Sequence, residues 1–245
     1  MKKWIVILFA MLPSLAMAAG ASVPLDKANN DLTDKASLQN GAKLFMNYCF
    51  ACHSTQYQRY ERVANDLEIP VDLMKENLVF DPEAKIGDLM VNAMPAKQAA
   101  NWFGAPPPDL TLVARVRGAD WLYTYLRSFY EDPSRPFGVN NIVFPSVGMP
   151  HVLEELQGIP TPVYDTHMVD GEEVTAVVGI ETDGSGELST GEYDNAVRDL
   201  VNFLVYSGDP VQLERHALGW WVMAFLVLFT IVVVLLKKEY WRDVH

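Results

Sequence analysis

The sequence predicts a mainly α-helical chain with loop and β-hairpin insertions and one transmembrane helix near its C-terminal end. Apolar residues recur at helical spacing in residues 38–50 and again in residues 193–205. β-Branched residues and turn signals mark residues 159–191 as a hairpin or two short strands. Residues 217–236 carry no charge, and at about 1.5 Å per residue they span about 30 Å, the thickness of the bilayer hydrocarbon.

The first 18 residues predict a secretory signal peptide. Two lysines precede a short apolar run at residues 4–12, and Ala16-Met17-Ala18 supplies a small-residue cleavage site. We therefore expect cleavage after Ala18 and export of the chain. The alternative is an uncleaved anchor, which the short run and its interruption at Pro13 disfavour.

The first predicted helix, residues 38–50, leads into the most informative motif of the chain. One face of this helix carries Gly41, Leu44, Phe45 and Tyr48, at positions i, i+3, i+4 and i+7. That face can pack on a bound group, on a later helix, or on both.

The motif Cys49-Phe50-Ala51-Cys52-His53 has the C-x-x-C-H spacing by which proteins attach haem c. The two thiols add to the two haem vinyl groups, and the adjacent histidine offers an imidazole nitrogen to the iron. A thioredoxin-like redox pair would need βαβ flanks, and half of a zinc site would need a second ligand pair at zinc spacing. The sequence offers neither. It therefore predicts one covalent haem c bound by Cys49, Cys52 and His53.

A sixth iron ligand is expected to be a methionine or a histidine. Met149 lies in Gly148-Met149-Pro150, where the proline holds the methionine extended and the glycine allows close backbone approach. Met94 also precedes a proline, and His151 follows the Gly-Met-Pro step. The residues alone favour Met149 and leave Met94 and His151 as alternatives.

The segment between the motif and Met149 holds two further candidate features. Three consecutive prolines, including Pro107 and Pro108, form a rigid extended stretch that is either a wall beside His53 or a stiff linker. Residues 121–129 predict an aromatic helix, preceded by Arg115 and Arg117. Either arginine can neutralise a haem propionate, because charge-assisted contacts to carboxylates are strong.

Two further elements, a hairpin and a helix, are predicted after Met149. Residues 159–191 predict the hairpin, with turn signals at Asp170-Gly171 and Asp183-Gly184. A helix with regular apolar spacing is then expected to begin at a cap provided by Thr190 and to end near Gly208.

Residues 217–236 are expected to span the membrane once. Tryptophans stand at the first end of this run, and Tyr240 and Trp241 lie just beyond the other, as in an interfacial aromatic belt. Lys237, Lys238 and Arg242 place the tail, residues 237–245, in the cytoplasm by the positive-inside rule. Residues 19–216 then form one periplasmic domain.

The chain is acidic, with 19 Lys and Arg against 31 Asp and Glu and a net charge of −12. The signal peptide and tail hold five of the basic residues and two of the acidic ones, so residues 19–216 keep 14 against 29, or −15. Such a domain should repel nucleic acid and attract a basic partner.

Four segments together resemble the cytochrome c1 family, the haem subunits of the cytochrome bc1 complex, ubiquinol–cytochrome c reductase: residues 48–54, 107–110, 115–121 and 148–150. The resemblance covers nearly the whole chain and implies a class I cytochrome c-like haem domain with insertions.

The resemblance also implies roles for individual residues. His53 and Met149 would ligate the iron, and Pro107 and Pro108 would border the haem. The second arginine of the family's Arg-x-Arg contacts a haem propionate, and Arg117 matches it. Trp121 stands where the family has a tyrosine near the propionates, and its indole N–H can donate a hydrogen bond.

The function that the resemblance implies is electron transfer, from a Rieske iron–sulfur protein through the haem c to a soluble c-type cytochrome. Cytochrome b and a Rieske subunit would be partners in a dimeric complex of the bacterial inner membrane, and the chain would not be an enzyme on its own. Two alternatives remain: a free-standing membrane-anchored cytochrome c that shuttles electrons, and a haem peroxidase with an open sixth position.

Overall fold

The computed structural model describes residues 23–169 and 172–243. The predicted signal peptide, residues 1–18, and the turn Asp170-Gly171 lie outside the described residues. Within the described part the chain is mainly helical, with three two-stranded antiparallel sheets. The predicted fold class is therefore confirmed.

The helices that precede the long C-terminal helix are short except for the last of them. They are α1 (Lys35–Leu44), α2 (Tyr60–Asp66), α3 (Val71–Asn77), α4 (Ala96–Phe103), α5 (Val113–Arg117), α6 (Ala119–Leu126), α7 (Glu154–Gln157) and α8 (Thr190–Gly208). A longer helix, α9 (Gln212–Tyr240), follows. The strands are β1 (Thr55–Arg59), β2 (Leu89–Met90), β3 (Phe129–Glu131), β4 (Val139–Asn141), β5 (Pro160–Val169) and β6 (Glu172–Thr182).

The core of the domain forms where α1 crosses α8. Gly41 of α1 lies directly on α8: a Cβ atom there would stand 2.0 Å from the carbonyl oxygen of Asp199. Phe45 follows on the same face, and its ring centroid lies 5.4 Å from that of Phe203. Both phenylalanines are fully buried. The face predicted from helical spacing therefore packs on a later helix.

The helix into the haem motif differs from the regular helix expected over residues 38–50. After α1 the chain widens into a π-helical turn, Phe45–Cys49. The N–H of Phe50 donates to the carbonyl of Phe45 at 2.9 Å, a step of five residues. Single π turns are frequent at functional sites, and this one ends at the first motif cysteine.

The aromatic helix expected over residues 121–129 is shorter than predicted. It begins earlier, at Ala119, and ends at Leu126; Phe129 instead starts β3 and pairs with Asn141. The Asn141 amide donates to the carbonyl of Tyr125 at 2.8 Å, so a side chain from β4 satisfies a group that a longer helix would have used.

The predicted hairpin and the predicted helix after it are both present, with one correction at the start of the helix. β5 and β6 pair antiparallel from Pro160↔Thr182 to Val169↔Glu172, which confirms the hairpin. Helix α8 ends at Gly208 as expected. Its N-cap, however, is Ser189, whose N–H donates to the Glu192 carboxylate at 3.0 Å; Thr190 is already inside the helix.

Helix α9 contains the predicted membrane span and extends it at both ends. It is the one helix in the described part of the chain that is long and apolar enough to cross a membrane, and its spanning window is fully exposed. At its foot, Asp209 lies between Arg115 of α5, at 3.4 Å, and Arg215 of α9, at 2.5 Å. The structure is consistent with a single-pass anchor.

Candidate haem-binding site

The haem motif is a compact turn that gathers its three chemical groups. The N–H of Cys52 donates to the carbonyl of Cys49 at 3.1 Å, and the N–H of His53 donates to the same carbonyl at 2.8 Å. The π turn carries Cys49 into the core, whereas Cys52 is half-buried. The two cysteines form no disulfide with each other, so both sulfurs are available for thioether bonds.

The environment of the cysteines favours neutral sulfur. Burial raises the pKa of the Cys49 thiol to about 12, and burial also raises the pKa of the Cys52 thiol. A redox-active cysteine is a thiolate whose surroundings normally lower the thiol pKa. The raised pKa values therefore do not match a redox-active pair.

His53 is held in the state that an iron ligand requires. Its Nδ1 lies 2.7 Å from the carbonyl oxygen of Pro108, so an N–H at that position donates to the carbonyl. This leaves the lone pair of Nε2 for a metal. Burial lowers the pKa of the imidazole, which keeps the ring neutral.

The proline segment packs on the motif and is not a free linker. The N–H of Leu110 donates to the carbonyl of Ser54 at 2.9 Å, and the N–H of Gln56 donates to the Asp109 carboxylate at 2.8 Å. These bonds hold Pro107 and Pro108 alongside His53. Because prolines have few backbone conformations, the Pro108 carbonyl is well positioned to orient the imidazole.

Met149 lies half-buried against the core, and its sulfur has a polar partner. The hydroxyl of Tyr125 donates to the Met149 Sδ at 3.4 Å. The preceding Gly148 stands close to α4: a Cβ atom there would lie 3.9 Å from the carbonyl oxygen of Phe103. Gly148 therefore lies beside α4, and the Met149 sulfur faces Tyr125 of α6.

The two alternative ligands have different surroundings. Met94 follows Asn92, whose N–H donates to the Ser54 hydroxyl at 3.0 Å, so its segment is tied to the residue after His53. His151 is buried and stacks on Phe129, with centroids 4.9 Å apart and planes inclined by 10°. Burial lowers the pKa of His151 to about 4. The His151 ring therefore packs as a side chain of the core.

Arg117 and Trp121 form a contact chain that reaches Met149. The Arg117 guanidinium carbon lies 4.9 Å from the Trp121 ring centroid, and also 5.7 Å from that of Phe144. Trp121 stacks on Tyr125 at 4.9 Å with a 10° interplanar angle. Arg117, Trp121, Tyr125 and Met149 are thus successive neighbours, and the middle two lie on one side of α6.

The two arginines that the sequence left as alternatives have different partners. Arg115 faces Asp209 at the base of the anchor helix, at 3.4 Å. Arg117 makes no ion pair with the described residues, and it is exposed beside the aromatic chain. Of the two, Arg117 has the guanidinium available for an added carboxylate.

Sequence reasoning missed Tyr125. It stands four residues after Trp121 on the same helical face, and that spacing was the signal that could have found it. The predicted site residues fall into two groups: the motif with Pro107 and Pro108, and the chain that joins Arg117 to Met149 through Trp121. Both groups border one buried cluster that contains Cys49 and Tyr125.

The donor set fits a covalent haem c. It combines two neutral sulfurs at C-x-x-C spacing, a neutral histidine whose Nδ1 is already engaged, and a thioether on a rigid Gly-Met-Pro step. Thioether and imidazole nitrogen are the two axial donors of low-spin haem in electron carriers.

Comparison with known proteins points to one family. The model of the Cytochrome C1 family matches residues 27–244. A cytochrome c1 from Allochromatium vinosum is 52% identical over 246 residues, covering 100% of both chains. A cytochrome c1 from Blastochloris viridis is 27% identical over 289 residues, covering 94% of this chain and 95% of that protein.

A relative with a different name is also similar over its whole length. The ammonia monooxygenase gamma subunit of Nitrosomonas europaea is 43% identical over 245 residues, covering 100% of this chain and 99% of that protein. The similarity therefore extends to a protein that is named as a subunit of a different enzyme.

Proposed function

This chain belongs to the cytochrome c1 family and is an electron-transfer subunit of the cytochrome bc1 complex, and we propose that it works through one haem c held by Cys49, Cys52, His53 and Met149. Such a haem supplies a reversible one-electron couple at its iron. The chain itself performs no acid–base or nucleophilic step. Its residues would attach the haem, orient it and set its redox potential.

We assign a distinct task to each part of the site. Cys49 and Cys52 would hold the haem through thioether bonds. His53 and Met149 would ligate its iron. The proline segment, with Pro107 and Pro108, keeps the His53 imidazole in one orientation. A buried setting and a Met/His ligand pair both favour the ferrous state and raise the potential.

The observation that carries this proposal is the 2.7 Å contact between His53 Nδ1 and the Pro108 carbonyl. An imidazole whose Nδ1–H is engaged by a backbone carbonyl presents Nε2 to a metal in a single orientation. The contact joins the two most specific sequence segments of the site, the C-x-x-C-H motif and the Pro-Pro-Asp-Leu stretch.

We infer the partners from the family and from charge. Electrons would arrive from a Rieske iron–sulfur subunit that is bound with cytochrome b in a dimeric complex. They would leave to a soluble c-type cytochrome. The acidic balance of residues 19–216 would favour a basic acceptor, because opposite charges accelerate encounter.

We further propose that the chain lies in a bacterial inner membrane with its haem domain in the periplasm. The signal-like residues 1–18 support export, and haem c is attached outside the bacterial cytoplasm. Lys237 and Lys238 follow the apolar part of α9, which supports a cytoplasmic tail.

The proposal is tested by identifying the proteins that are bound to this chain in the membrane. Detergent-solubilised membranes are separated by blue native electrophoresis, stained for haem and analysed by mass spectrometry. We expect one haem-staining band that contains this chain, a b-type cytochrome and a Rieske protein. A band with this chain alone would support the membrane-anchored shuttle, and monooxygenase subunits in the band would support the function named for the Nitrosomonas relative.

Replacing Arg117 with glutamine is expected to lower the midpoint potential and leave the haem low-spin. A positive charge near a propionate disfavours ferric iron. An exposed pair contributes about 0.2–1 kcal/mol, so the potential should fall by at most about 10–40 mV at 59 mV per tenfold change. Redox titration with optical spectra measures this. Arg115→Gln is the control on the same helix: it removes a partner of Asp209, so it should lower the melting temperature but not the potential. Equal potentials in Arg117→Gln and wild type would remove Arg117 from the site.

A further inference from the structure

The hydroxyl of Tyr125 is directed at the sulfur of Met149. The oxygen–sulfur distance is 3.4 Å, and both residues contact the buried cluster beside the haem motif. A buried tyrosine hydroxyl must find a partner, and here that partner is a thioether, a weak acceptor. A strong acceptor such as a carbonyl oxygen would be an ordinary partner for this hydroxyl, whereas a thioether sulfur is an unusual one.

The ring of Tyr125 is held so that its hydroxyl points in one direction. Trp121 stacks on one face at 4.9 Å, and Phe129 meets the ring edge to face at 5.2 Å. The backbone carbonyl of Tyr125 accepts the Asn141 amide at 2.8 Å. The hydroxyl therefore keeps its place through packing on both sides, independently of Met149.

We infer that Tyr125 is a positioning residue that raises the redox potential of the site by donating a hydrogen bond to the Met149 sulfur. The inference rests on the proposed function, because it requires Met149 to be an iron ligand. It adds a residue that neither the haem motif nor the Gly-Met-Pro step contains.

The direction of the effect follows from the O–H dipole. The hydrogen end of the hydroxyl points at Sδ, so its partial positive charge lies next to the sulfur. It withdraws electron density from the sulfur and weakens donation to a metal. Ferric iron carries one more positive charge than ferrous iron and needs that donation more. The bond therefore disfavours the ferric state.

The hydroxyl is a donor over the working pH range. A tyrosine phenol has an ordinary pKa of about 10, so it is neutral at the pH values at which proteins usually work. A neutral phenol can donate to sulfur, whereas a phenolate cannot.

Tyr125→Phe tests the inference in the full-length, haem-loaded protein in detergent. The substitution removes one oxygen and keeps the ring that Trp121 and Phe129 pack against. We expect the ferrous-to-ferric equilibrium to shift threefold to tenfold toward ferric, a potential lower by about 28–59 mV at 59 mV per tenfold. The near-infrared band of methionine-ligated ferric haem should persist, and cyanide should displace the methionine more slowly.

Tyr123→Phe is the matched control. Tyr123 lies on the same helix with its ring under Arg127, whose guanidinium carbon is 4.4 Å from the centroid. Its hydroxyl makes no hydrogen bond to Met149. We expect this variant to keep the wild-type potential and cyanide kinetics.

The outcomes separate the inference from the function on which it rests. If wild type shows the methionine band but Tyr125→Phe matches Tyr123→Phe in potential and cyanide exchange, the inference is overturned while the ligand assignment stands. If wild type lacks the band, Met149 is not a ligand and both fall. A lowered potential confined to Tyr125→Phe supports the inference.

Discussion

Replacing Met149 with leucine is expected to lower the midpoint potential by about 0.1–0.3 V, a fraction of the roughly 0.8 V over which axial ligands set haem potentials. The haem should remain covalently attached, because Cys49, Cys52 and His53 are unchanged. Leucine has nearly the volume of methionine, so the packing against Tyr125 should persist. What is lost is a soft sulfur donor that favours ferrous iron.

The measurement combines redox titration with optical spectra of the purified chain. Besides the lower potential, the ferric near-infrared methionine band should disappear, and carbon monoxide should bind to the reduced haem. Met94→Leu is the matched control, because Met94 is also half-buried and also precedes a proline. Met94 would be the ligand instead if Met149→Leu kept the wild-type potential and near-infrared band. Met94→Leu would then lose the band and have a lower potential.

Much of the architecture could be predicted because it depends on local chemistry. The C-x-x-C-H motif, the uncharged run in α9 and the β-branched hairpin each carry their signal within a few neighbouring residues. The face that runs from Gly41 of α1 to Phe45 in the π turn was also predictable from helical spacing. That spacing could not identify the partner as α8, which is distant in sequence.

The features that sequence reasoning missed depend on contacts between distant segments. The Asn141 side chain on β4 bonds to the last turn of α6. Helical periodicity does not contain this contact, so it predicted a helix that continued to Phe129. Arg115 and Arg117 look equivalent in sequence, but Asp209 pairs with only the first. Tyr125 gains its role from Met149, which a separate loop brings to it.

Replacing Gly41 with alanine is expected to destabilise the domain by about 3 kcal/mol or more, at the upper end of overpacking costs. The added Cβ would stand 2.0 Å from the carbonyl oxygen of Asp199 and 2.8 Å from the Cβ of Phe203. Both belong to α8, and one is backbone, so the helices must separate. At about 2–4 °C per kcal/mol for a domain of this size, the melting temperature should fall by about 6–12 °C.

Gly191→Ala provides the control for this prediction, with both variants melted as full-length protein in detergent and followed by circular dichroism. Gly191 lies in α8 itself, and an added Cβ there meets nothing within 4 Å. Because alanine is the better helix former, this variant should be as stable as wild type or slightly more stable. Gly41→Ala should also lose haem more readily on expression, since α1 continues into the π turn that carries Cys49. Equal melting temperatures for the two variants would mean that α1 and α8 do not cross as closely as the fold requires, and the buried position of Cys49 would lose its explanation.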